Sequence, residues 1–195
     1  MDRKLIKSEA KAAMKVNTRW LMLFLVLLIF GAITGASSFV LGLIGLPLFL
    51  AVIRISYDVL QNKDVDFNKM FEPYKDLNKA INAALLQLIV SFIIAIGYAL
   101  LVVPGIYLQA RFGFAIYAME KDPTLSITDA MKKSSTLMQG HKMEYFVFLL
   151  SFIGWFIVVG LTFGIASIYV LPYVQLSTAN FYRHLTGEQN VVDVQ

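Results

Sequence analysis

Apolar residues in this chain come in long blocks rather than in the two-residue alternation of a half-buried strand. Six blocks stand out, at 20–36, 39–61, 80–103, 104–120, 143–161 and 164–184. At about 1.5 Å per residue each crosses, or nearly crosses, a hydrocarbon layer about 30 Å thick. Lipid offers no water to pair with the backbone, so each block is expected to satisfy its own N–H and C=O groups as a helix. No alternating pattern of a membrane-spanning strand competes with that reading.

Between the blocks the pattern changes to amphipathic. In residues 3–16 Lys4, Lys7, Lys11 and Lys15 form one stripe, and Ile6, Ala10, Ala13 and Met14 form another at helical spacing. Near residue 126 a capping box of Ser126 and Asp129 opens a second such segment. There Ile127, Ala130, Met131 and Met138 share a face opposite Lys132 and Lys133. The middle segment contains Pro73, so its helix is expected to be short or broken. Segments of this kind are expected in the headgroup plane with the apolar side down. Trp20, Tyr74 and Tyr145 stand near span ends, where amphipathic rings favour the interface.

A repeat underlies this order. Pro47, Pro104 and Pro172 occur in the contexts LIGLP, LLVVP and IYVLP, each followed by an aromatic-rich apolar half that closes on a polar cluster. The basic exits MKVNTRW, YKDLNKAI and MQGHKMEY precede those prolines by 33, 30 and 34 residues. The predicted fold is therefore all-α: a polytopic membrane protein with six transmembrane helices in three tandem hairpins, each preceded by an amphipathic interfacial helix. A single membrane domain covers 1–195, with units near 1–64, 65–122 and 123–188, a polar tail at 189–195 and a pseudo-threefold axis along the membrane normal. The three prolines are expected to begin or interrupt the returning helices, where a missing N–H costs least.

Composition sharpens the picture in one respect: 58% hydrophobic and 15% charged residues are more apolar than one water-facing core accommodates. Lysine and arginine gather at 3–19, 63–79, 121–142 and 183, and none falls in the short connections near 36–39, 102–105 and 161–165. That asymmetry predicts both termini and the longer loops in the cytoplasm. The basic start ahead of the first apolar run is read as an uncleaved span rather than a signal peptide. Basic residues here set orientation and meet anionic headgroups, so nucleic acid is not an expected partner. With no cysteine, thiolate metal sites and disulfides are excluded.

Candidate chemistry centres on two arginines inside apolar blocks. Arg54 and Arg111 each stand seven residues after their proline, and the third unit has Ala179 there with Asn180 beside it. A charge at such depth is unfavourable by at least about 2.5 kcal/mol unless it snorkels, pairs or faces water. Asp58, four residues past Arg54, is placed to pair with it. Arg111 has no acid within its block. With Gln109, Gln175 and Asn180 nearby, the arginines are expected to face the pseudo-axis and form an anion or headgroup site, since the guanidinium fork suits phosphate and carboxylate. Snorkelling to the leaflet's own phosphates is the plainer alternative. The Gly31–Gly35 and Gly160–Gly164 spacings match a small-residue pattern for close helix packing. No catalytic triad, phosphate loop or metal-ligand set is present, and no cofactor is implied.

Residues 127–185 resemble a family of bacterial integral membrane proteins, the domain of unknown function nine-seven-five, through LMQGHK, FLLSFIGW, LTFGI, LPY and the closing NFY. VPGIY and the basic amphipathic start extend the likeness upstream. The resemblance implies a small polytopic protein of a bacterial cytoplasmic membrane and brings no catalytic residues with it. The expected function is non-catalytic: binding of anionic lipid or of a membrane-protein partner, in a regulatory, envelope-stress or peptide-immunity role. The alternative is a small transporter or permeation module for an anionic or amphipathic solute.

Overall fold

A computed structural model describes residues 2–16, 18–34 and 45–188, and among these the regular structure is helical throughout. The elements are α1 (Arg3–Val16), α2 (Arg19–Thr34), α3 (Leu48–Leu60), a 3-10 segment (Phe67–Lys75), α4 (Leu77–Leu100), α5 (Val102–Phe112), α6 (Ala115–Lys121), α7 (Ile127–Leu137), α8 (Lys142–Leu150), α9 (Ile153–Leu161) and α10 (Ser167–Thr186). The Gly35 position, the start of the second apolar block and the tail at 189–195 lie outside the described residues.

Local signals account for many boundaries. Pro47 caps α3, Pro104 occupies the first turn of α5, and Pro172 lies within α10. Ser126 Oγ accepts from Asp129 N at 3.2 Å and starts α7. Pro73 leaves only 3-10 turns in the middle segment. Asp76 caps α4 through Asn78 N and Lys79 N. Gly187, with φ of 73°, ends α10 in the left-handed conformation that glycine adopts without a Cβ clash.

Among the described residues two helical runs are long and apolar enough to cross a membrane: Leu77–Leu100, and Lys142–Leu161, which joins α8 to α9. A third arises only if α1 and α2, bent by 102°, count as one. The expectation of six spans is corrected, and the reasons are local. The third helix has 13 residues, about 20 Å. The block at 104–120 breaks at Gly113–Phe114 into α5 and α6. Although α10 has 20 residues, Gln175, Asn180, Arg183 and His184 make it too polar. The two long runs turn large apolar side chains outward, among them Phe92 at 64% exposed, Phe156 and Leu161. An outward apolar face of that extent suits lipid better than water.

At the centre lies α3, buried on nearly all sides. Beside it Phe114, in the break between α5 and α6, is fully buried against the rings of Tyr117, Tyr145, Phe181 and Tyr182. Tyr145 is thus a core residue rather than an interface anchor. In α1 and α7 the apolar residues of the predicted stripes are covered by protein. Ile6 and Ala10 of α1 are buried, and α1 is tied to α10 by bonds from Asn180. In α7, Ala130 and Met138 are buried likewise, with Ile127 and Met131 packed on the same core.

Close packing falls elsewhere than the glycine pattern suggests. A Cβ at Gly31, Gly160 or Gly164 meets nothing within 4 Å. A Cβ at Gly97 of α4 would lie 2.9 Å from the Gly105 Cα of α5, and backbone cannot step aside. A Cβ at Gly105 would run into the Tyr98 ring, including its Cγ at 2.5 Å, close to the base of a side chain already held by Gln109. Gly97→Val should therefore destabilise the protein by about 1–3 kcal/mol, and Gly31→Val should change little. Unfolding in mixed micelles, followed by tryptophan fluorescence, separates the two; equal effects would remove the α4–α5 contact as their cause.

Candidate functional site

The six residues expected to form one anion site are distributed over separate places. Arg54 does not pair with Asp58. Its Nε donates to Glu120 Oε1 at 2.7 Å and its Nη1 to Glu72, at the edge of a cavity of about 270 Å³ that Lys79 and Asn82 also line. With Lys75, Lys79 and Asp76 also on the wall, three cations face three carboxylates, so the cavity offers no net positive charge to seat an anion. Asp58 Oδ2 instead accepts from Lys69 Nζ at 2.7 Å. Arg54 and Asp58 thus form two ion pairs of opposite polarity that pin the 3-10 segment to α3.

Asn180 is also structural. Its Nδ2 donates to Ile6 O at 3.1 Å and to Glu9 Oε2 at 2.6 Å, and the same Oε2 lies 2.9 Å from His184 Nε2. Gln109 and Gln175 line a different cavity: Gln109 accepts from Tyr98 Oη at 2.6 Å, and Gln175 donates to Tyr117 Oη at 3.3 Å.

Arg111 stands apart from Arg54, with other partners. Its Nε donates to Ser135 Oγ at 2.9 Å, and its guanidinium lies 5.0 Å from the Phe112 ring centroid. Ser134 Oγ donates to Arg111 O and locks α7 onto this end of α5. One helical turn back, Tyr107 Oη accepts from Lys142 Nζ at 2.8 Å, with the ammonium 4.2 Å from the ring centroid. Among the described residues no carboxylate pairs with Arg111 or Lys142, and no residue accepts from the Nη atoms of Arg111. Between α5 and α8 runs a groove of about 390 Å³, walled by Val103, Ile106, Tyr107, Ala110, Met143 and Phe146, with Lys142 at its rim. The groove wall is apolar apart from Lys142 and Tyr107. Arg111 is not part of the wall but lies near Tyr107, four residues further along the same helix face.

Sequence reasoning missed Tyr107, Ser135 and Lys142. Tyr107 was legible, since it precedes Arg111 by four residues and so shares its helix face. Lys142, inside LMQGHK, reads from sequence only as an orienting charge. The other basic residues divide between surface and ring contacts. Lys4 and Lys15 are exposed, and Lys132 lies 3.8 Å from Asp129. Lys133 is half-buried. Lys7 Nζ donates to Ser151 Oγ at 2.6 Å and sits 4.0 Å from the Phe152 ring centroid, while Lys11 faces Trp155 and Tyr173. Burial first, and Lys11 second, lower the Lys7 ammonium from the ordinary lysine value.

Among the described residues no group of three histidines or carboxylates could hold a metal ion. A family model described as a protein of unknown function (DUF975) matches residues 1–189. Neither a curated protein nor a solved structure matches the chain.

Proposed function

The chain belongs to the DUF975 family, whose description assigns no activity, and from that premise we propose a non-catalytic, multi-pass protein of a bacterial cytoplasmic membrane that binds anionic lipid through Arg111 and Lys142. The observation that supports this reading is an apolar groove with Lys142 on its wall and Arg111 beside it, one turn past Tyr107, neither cation having a carboxylate partner among the described residues. A phospholipid has the matching polarity: acyl chain along Val103 and Phe146, phosphate at the guanidinium and ammonium. In this reading the lysine- and arginine-rich loops and both termini face the cytoplasm, three hairpin units repeat about a common axis, and the groove opens to the inner leaflet.

Two phosphate contacts worth about 1 kcal/mol each make the expected loss in Arg111→Ala, Lys142→Ala roughly 30-fold in affinity. Native mass spectrometry of gently extracted protein, titrated with phosphatidylglycerol and with phosphatidylcholine, reads this directly. Preference for phosphatidylglycerol should vanish in the double variant and persist in Lys132→Ala, Lys133→Ala. Retention of that preference in the double variant would reject the site.

A second reading, a permeation module, is favoured by the cavity of about 710 Å³ lined from α3, α4, α5, α6, α8, α9 and α10. Flux through reconstituted vesicles distinguishes it, because a lipid-binding protein without a path moves no solute.

A further inference from the structure

The 710 Å³ cavity has a specific chemistry. We infer that it is a binding site for an uncharged, amide-bearing amphiphile, the class to which a capped apolar peptide belongs. Its volume falls in the range of small-molecule sites, about 300–1,000 Å³. Rings form much of its wall, including Phe49, Phe112, Phe152 and Phe156, and suit a hydrocarbon or aromatic body.

No acidic, basic or histidine side chain lines it. An ion entering would lose its hydration without gaining a counter-charge, a loss far larger than that of a neutral dipole. The polar groups present are amides and hydroxyls, and their existing bonds leave a defined remainder. Gln109 uses its carbonyl oxygen on Tyr98, so both N–H donors of its Nε2 remain free. Gln175 uses one N–H on Tyr117, so its second N–H and its carbonyl oxygen both remain. Thr178 is spent on Val174 O at 2.8 Å. Gln87, with an entire amide, has no hydrogen bond among the described residues.

The cavity thus presents unused amide donors from α4, α5 and α10 and unused carbonyl acceptors from α4 and α10. A carboxylate offers only acceptors and an ammonium only donors. An amide offers both N–H and C=O, on separate atoms, and so can use both kinds of group. Tyr98, half-exposed and bonded to Gln109, stands at the margin and couples this end of α4 to the site. The inference concerns binding and stands whether or not the occupant crosses the membrane. It is also independent of the lipid groove, which shares none of its lining residues.

The test is equilibrium dialysis of the full-length protein in lipid nanodiscs with N-acetyl-phenylalaninamide and with N-acetyl-phenylalaninate, which share a body and differ in charge. Saturable binding of the amide, at least tenfold tighter than the carboxylate, is expected. Gln109→Leu, Gln175→Leu should abolish that preference, while Arg111→Ala, Lys142→Ala should leave it intact. Ser91→Phe, which puts a ring into the cavity from α4 and leaves Gln109 and Gln175 in place, should block both probes and guards against a fold defect in the leucine variant. Absence of saturable amide binding, equal affinity for the two probes, or binding indifferent to both cavity variants would overturn the inference.

Discussion

Arg54→Ala should destabilise the protein by about 2–4 kcal/mol, and Glu120→Gln on top of it should restore most of the loss. The Glu120 side chain is 8% exposed, so deleting Arg54 strands a carboxylate that is largely, though not wholly, withdrawn from water. Breaking a fully buried pair costs about 3–5 kcal/mol; the expectation is set lower because the Arg54 side chain is 34% exposed and part of the charge is screened. In the double variant a neutral amide replaces the stranded charge. Equilibrium unfolding of the four proteins in the cycle gives the coupling directly. A variant Arg54→Ala as stable as the parent, or a double variant no better than the single, would show that the Arg54–Glu120 pair does not hold α3 to α6.

Phe114→Ala carries the other large effect, about 3–5 kcal/mol. Phe114 is fully buried and lies 5.8 Å from Phe181, nearly parallel, and 5.2 Å from Tyr145 at a steep angle. It occupies the break between α5 and α6, so its ring fills the space that the interrupted helix leaves. Removing it opens a void and uncouples α6 from α10, whereas Phe114→Leu, which keeps most of the volume, should cost clearly less. Tryptophan-monitored unfolding and near-ultraviolet circular dichroism follow both changes. Loss of less than 1 kcal/mol in the alanine variant would mean that this ring cluster is peripheral to the core.

What the sequence made legible is local. Pro47 and Pro104 mark helix starts, whereas Pro172 lies inside the unbroken α10; Ser126 and Asp129 mark the start of α7, and Pro73 marks a segment that cannot hold a full helix. Each works within a few residues and needs no knowledge of neighbours. The partners of Arg54 were not legible, because Glu72 and Glu120 lie 18 and 66 residues away, and a nearby Asp58 offered a plausible pairing by spacing alone. Gly97 and Gly105 escaped notice for a related reason. A small-residue spacing describes one helix, whereas their close approach joins two helices across a tight turn.

The amphipathic segments teach a different lesson. The stripe of Ile6, Ala10 and Met14 is correctly placed, yet hydropathy does not say whether lipid or another helix covers it. Protein does so here, and Asn180 and Glu9 provide the specific bonds that decide it. In the same way the candidate site moved from a shared pair of arginines to Arg111 alone, completed by Lys142 from a helix whose register with α5 no single block reveals.

The proposal that an anionic lipid lies along α5 and α8 is tested most directly by covalent mapping in a native-like bilayer. Photoactivatable phosphatidylglycerol, carrying its reactive group near the head end of one acyl chain, should label the stretch 103–110 and residues 143–146. That labelling should disappear in Arg111→Ala, Lys142→Ala. Labels spread evenly over the outward faces of Leu77–Leu100 and Lys142–Leu161, unchanged in the double variant, would contradict it.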